Sequence, residues 1–155
     1  MIQRIQSVWL LLTSLTLFIL LALPIVTKIN SGTEWSVYTT GLHQKLSTDL
    51  GSRVTVALNI PLIASNAIIA LLTFVNIFLF RNRTLQKRIC SLIIILIAAL
   101  NFWIFQSARE IPGGLEGASY GAGAFLPLVA IVFCFLAIRG IRKDDQLIRS
   151  ADRLR

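Results

Sequence analysis

Hydrophobic positions run in four long blocks, 8–26, 54–80, 89–105 and 124–138, and polar positions collect between and after them at 27–53, 81–88, 106–123 and 139–155. Crossing a bilayer takes about 20 mainly apolar residues, so the pattern predicts four transmembrane helices. The connection 81–88 is short, which makes the second and third helices an antiparallel hairpin. The fold class this predicts is an all-α membrane protein, one domain of four transmembrane helices in an antiparallel bundle. Ile2, Ile5, Trp9 and Leu12 recur at helical spacing, so the first helix begins near the N-terminus. A signal peptide is the rival reading of this block, but the apolar run is long for one and Pro24-Ile25-Val26 is a poor cleavage site. Pro61 loosens the start of the second helix, and Pro127 lies in the first turn of the fourth, where its missing N–H matters least.

The second block is the most polar. Thr55, Asn59, Asn66 and Thr73 fall at spacings of 4, 7 and 7 and share one helical face with Ala70, with Asn76 a turn further on. Inside hydrocarbon such side chains favour another helix over lipid, at roughly 0.6 to 2 kcal/mol per interhelical hydrogen bond. Asn59, Asn66, Thr73 and Asn76 are therefore candidates for helix contact or for lining a polar cavity.

The polar segments carry weaker signals. In 27–53, Trp35, Val37 and Thr39 alternate with other residues before Gly41, which reads as a short strand or interfacial segment with a turn. His43 is the single histidine and reads as a solvated loop residue. Segment 106–123 is rich in glycine and reads as irregular. It lacks the preceding strand and following lysine of a phosphate-binding loop. In the tail, Leu147, Ile148, Ala151 and Leu154 form an apolar stripe against Asp145, Arg149, Asp152 and Arg153, an amphipathic extension suited to an anionic membrane surface or a partner. Arg149 and Arg153 are its candidate lipid or partner contacts.

Charge fixes the orientation. Of 155 residues, 55% are hydrophobic and 14% charged, against about 25% charged in soluble domains. Eleven of the 15 basic residues lie at the N-terminus, in 81–88 or in 139–155, and these segments carry the whole net charge of +8. The segments 27–53 and 106–123 balance Lys28, Lys45, Arg53 and Arg109 with Glu34, Asp49, Glu110 and Glu116. By the positive-inside rule both termini face the cytoplasm, with Arg81, Arg83, Lys87 and Arg88 as topology determinants. Clustering at membrane boundaries explains the charge without a nucleic acid. Cys90 and Cys134 fall near the cytoplasmic ends of their blocks, where a disulfide is disfavoured, and they read as small buried apolar residues.

The start MIQRIQSVWLLL, the central LFRNRTLQKR, the stretch GAFLPLVAIVF and the end RKDDQLIRSADRLR together resemble domain-of-unknown-function family 4293. The resemblance runs from end to end. It implies a small four-span inner-membrane protein of Bacteroidota and carries no reaction, substrate or catalytic residue.

No convergent set of titratable or nucleophilic groups is recognisable. The four blocks hold no Asp, Glu, Lys, Arg or His away from their ends, whereas proton and ion pathways generally mark themselves by such residues. Asp144-Asp145 beside Arg142 and Lys143 reads as a self-neutralised cluster. The expected protein is thus non-enzymatic, without cofactor or metal. It is a multi-pass protein of the bacterial inner membrane whose partners are the lipid bilayer and either another membrane protein or itself. Its expected role is accessory or assembly subunit of a membrane complex. The alternative is a small oligomeric channel or carrier lined by the second span, with a membrane enzyme third.

Overall fold

The computed structural model describes residues 3–30, 33–48, 51–112 and 114–152, with side chains described over 5–30, 33–46, 54–80, 82–112 and 114–146. The all-α expectation does not hold. The chain is mixed α/β, its described residues forming four α-helices and a five-stranded antiparallel sheet. The helices are α1 (Gln3–Leu20), α2 (Ile60–Asn76), α3 (Arg83–Ala108) and α4 (Leu126–Asp152). The strands are β1 (Val26–Asn30), β2 (Thr33–Tyr38), β3 (Gly41–Thr48), β4 (Gly51–Leu58) and the two-residue β5 (Ser119–Tyr120). Their order across the sheet is β4-β3-β2-β1-β5.

The physical reason for the correction lies at three boundaries. Residues 54–58 are apolar, but Val54-Thr55-Val56 is a β-branched run, which suits a pleated strand better than a helix. They form the end of β4, paired with β3 from Lys45↔Val54 to Gly41↔Leu58. The helix starts only after Asn59, whose side chain accepts a hydrogen bond from Leu62 N at 3.3 Å, with Pro61 in the first turn. The first helix likewise stops at Leu20 rather than Val26, because the residue before Pro24 is held out of the helical region. The chain leaves this break as β1. Segment 27–53 is therefore largely sheet. Glycine-rich 106–123 contributes β5, which joins the same sheet through Val26↔Tyr120 and Thr27↔Ser119.

At the opposite end, 81–88 is mostly helix. A 3-10 turn over Ile77–Arg81 ends α2, and Asn82 caps α3 by accepting from Leu85 N at 3.4 Å.

The sheet closes one end of the helices and is tied to them. Thr39, fully buried in the β2–β3 turn, donates to Leu20 O at 3.3 Å, using a carbonyl left open at the end of α1. Gly121 N and Gly123 N donate to Ile25 O at 2.9 Å and Pro24 O at 3.1 Å. A Cβ on Gly121 would stand 2.4 Å from Pro24 O, so the backbones meet there only because no side chain intervenes. Lys28 Nζ reaches Gly114 O at 2.9 Å.

Candidate functional site

Each helix turns one narrow stripe inward. On α1 it is Gln6, Leu10, Thr13, Leu17 and Leu20. On α2 it is Leu62, Asn66, Ile69, Thr73 and Asn76. On α3 it begins Gln86, Cys90, Ile93, Ile97 and Leu100, and on α4 it is Ala130, Cys134, Ala137, Ile141 and Asp144. Every stripe steps by alternating fours and threes, the spacing with which helices interlock at shallow angles. Helix α1 packs against α2 and α4, and α3 packs against the same two. Large apolar residues on the outer faces, such as Ile68, Ile95, Phe102, Val132 and Phe135, stay exposed. Three helical segments, Ile60–Phe80, Arg83–Ala108 and Ala122–Gln146, are long and apolar enough to cross a membrane, and Ile5–Leu20 is a shorter apolar helix.

Polar groups recur along this interior. Asn66 Nδ2 donates to Leu17 O at 3.0 Å, and Ser14 Oγ donates to Ala70 O at 3.0 Å. Both bonds join α1 to α2. Thr73 Oγ1 returns to Ile69 O of its own helix at 2.8 Å. Asn76 Nδ2 donates to Cys90 Sγ at 3.1 Å, while Gln86 Nε2 donates to Asn76 O at 3.2 Å, joining α2 to α3. Cys134 Sγ lies 3.8 Å from Thr13 Oγ1, between α4 and α1. At the end far from the sheet, Gln6 Nε2 donates to Asp144 Oδ2, and Lys87 on α3 pairs with Asp145 on α4 at 3.0 Å. Asn66 Oδ1, Asn76 Oδ1, Gln86 Oε1 and Asp144 Oδ1 are buried and receive no hydrogen bond from the described residues.

Of the residues singled out in the sequence, Asn66, Thr73 and Asn76 lie on the buried stripe of α2. Asn59 does not, because it caps that helix. Thr55 is on exposed β4, bonded to Gln44 at 3.3 Å. Arg83 is half-buried at the start of α3, Lys87 is taken by Asp145, and Arg88 is exposed. Arg81 ends the 3-10 turn and Arg149 lies on α4. The side chains of both, and Arg153 altogether, lie outside the described residues. His43 is half-buried against Tyr38, ring centroids 4.4 Å apart, and bonds Thr40 at 3.1 Å. Sequence reasoning missed Gln6, Gln86 and Asp144. Asp144, 5% exposed, was obscured by its charged neighbours. The signal that finds it is its place three residues beyond Ile141 on the stripe of α4. Cys90 and Cys134 are both free and buried.

The seam can join helices, and among the described residues no three of His, Cys, Asp and Glu gather where they could hold an ion. Asn66→Leu is expected to lower stability by about 1–3 kcal/mol, since it removes one interhelical hydrogen bond and puts a larger side chain at a fully buried position. Thermal unfolding in detergent measures it. A comparison with curated proteins gives no match. The family model described as Domain of unknown function (DUF4293) matches residues 2–154, and the chain belongs to that family.

Proposed function

We propose that the protein is a multi-pass inner-membrane protein acting as a non-enzymatic accessory or assembly subunit of a larger membrane complex. The observation that carries this reading is the open edge of the sheet. Strand β4, eight residues long, ends the strand order with no neighbour on its far side. It exposes Val54, Val56 and Leu58, at 55%, 44% and 64%. An uncovered apolar strand edge is a template for a strand from another chain. A partner segment laid along β4 would satisfy its open backbone groups.

The membrane placement follows from dimensions and charge. At 1.5 Å per residue, α3 and α4 are each about 40 Å long, longer than a hydrocarbon core of about 30 Å. Their surplus falls at the end carrying Arg83, Lys87, Arg88, Arg139, Arg142 and Lys143, where the positive-inside rule places the cytoplasm. Helix α1, with 18 residues, reaches about 27 Å and serves as the fourth span.

The test is extraction from the native host at low copy number in mild detergent, followed by native mass spectrometry. The expected particle contains this chain with a second protein. Crosslinks from β4 should reach that protein. A strictly monomeric particle with β4 uncovered would remove the reading.

A further inference from the structure

Between α3 and α4, on their outer faces, runs a groove of about 590 Å³. Its walls include Ile94 and Ile95 from α3 and Phe135 and Leu136 from α4, with two arginines of α4, Arg139 and Arg142, also in the lining. The groove is graded along its length. Phe135, Arg139 and Arg142 follow one another at steps of four and three residues on one helix, so the basic part begins about 6 Å beyond Phe135 and runs to about 10 Å. The basic part lies toward the end far from the sheet.

Both arginines are exposed, and the carboxylates nearest them in sequence are committed elsewhere. Asp144 points inward to Gln6 and Asp145 holds Lys87. Arg88, on the turn of α3 before Ser91 of the groove wall, is exposed at the same end. An apolar slot that ends in two guanidiniums without an ion pair among the described residues matches one kind of molecule, an acyl chain with a phosphate at its head. Guanidinium forks bind phosphate oxygens in pairs.

A second groove between the same helices, at the sheet end, shows the contrast. It measures about 570 Å³ and includes Ala98, Phe102, Phe105, Phe125 and Leu128. No charged side chain lines it. Arg109 lies over the ring of its Phe105 at 4.8 Å without entering the lining, whereas the other groove carries Arg139 and Arg142 in its own wall.

We infer that the groove at Ile94, Ile95, Phe135 and Leu136 holds one acyl chain of an anionic phospholipid, with its phosphate on Arg139 and Arg142. The inference rests on the membrane-spanning reading above. The lipid comes from the leaflet at the basic end and bridges α3 and α4 where Lys87 and Asp145 already join them.

The experiment uses the full chain, purified in detergent and titrated with phosphatidylglycerol or phosphatidylcholine of matched acyl chains. Bound lipid is counted by native mass spectrometry. The wild-type chain should retain phosphatidylglycerol roughly 10- to 30-fold more tightly, since each basic residue at a membrane surface favours an anionic lipid by about fivefold. Arg139→Gln with Arg142→Gln should bring the ratio near one. Lys143→Gln removes one exposed charge beside the groove without touching its wall, and should leave the preference in place. A wild-type ratio near one overturns the inference and needs no variant to read. An equal loss in Lys143→Gln and Arg142→Gln also overturns it, because the attraction would then be diffuse. So does a second protein retained in the groove in place of lipid and released by the double substitution. Alkaline extraction of native membranes separates the two readings. A chain released into solution ends both, whereas a chain that stays in the membrane with no lipid preference ends only this one.

Discussion

Gln6→Leu is expected to lower the stability of the folded protein by about 2–4 kcal/mol. That range falls between one lost hydrogen bond to a charged group, about 1.5–3 kcal/mol, and a buried charge stripped of its partner, about 3–5 kcal/mol. Gln6 and Asp144 are 6% and 5% exposed. Among the described residues Asp144 Oδ1 already lacks a partner, so losing the Gln6 amide leaves the carboxyl group without a donor from any of them. Gly140 makes room for the stem of Gln6, since a Cβ there would stand 3.2 Å from its Cγ. The double substitution Gln6→Leu with Asp144→Leu removes both polar groups together. It should recover most of the loss, because exchanging both partners for apolar groups can be close to neutral. Denaturation in detergent of the two single variants and the double variant gives the coupling directly. Penalties that simply add would show that the two side chains do not act on each other.

Gly41→Ala should be the more damaging glycine substitution, by about 3 kcal/mol or more. Gly41 has φ +133°, and a Cβ there would lie 2.0 Å from the backbone oxygen of Ala57 on β4. Alanine therefore meets conformational strain of about 1–3 kcal/mol and a backbone clash that no rotamer relieves. The pairing of Gly41 with Leu58 must open. Gly117 supplies the comparison: its φ is +71° and a Cβ there meets nothing within 4 Å, so Gly117→Ala carries the conformational term alone. The expected result is a clear drop in melting temperature for the first variant and a smaller one for the second. Hydrogen exchange should show faster exchange in β4 only for Gly41→Ala. Equal effects from both variants would mean the close approach of β3 and β4 plays no part.

How much of this was legible in the sequence depends on which period dominates each stretch. The cores of the four helices were legible, because their apolar blocks persist well beyond the length of a strand. The Asn66–Thr73–Asn76 stripe was legible for the same reason, since its helical spacing survives intact. The sheet was not. Residues 54–58 continue the apolar run of α2 without a polar gap, and hydrophobicity alone does not distinguish a buried helix from an apolar strand. The cues that do are the β-branched Val54-Thr55-Val56 and the cap at Asn59 before Pro61. Strand β5 is two residues long and owes its existence to β1, a partner more than ninety positions away in the chain, so no local signal announces it. Asp144 was hidden by the opposite error: local charge suggested solvent, while its register on α4 turns it inward.

The pairing of Val26 with Tyr120 sets an order on how the molecule can be made. A chain synthesised from its N-terminus completes α1 and the first four strands while residues 119–120 are still to come. During that interval Val26 and Thr27 on the outer side of β1 wait for β5. Contacts between such distant segments form slowly, and an uncovered strand edge invites pairing with the wrong chain. Completion of the sheet thus waits for the segment that follows α3, and an α1-to-α2 fragment released early would lack β5.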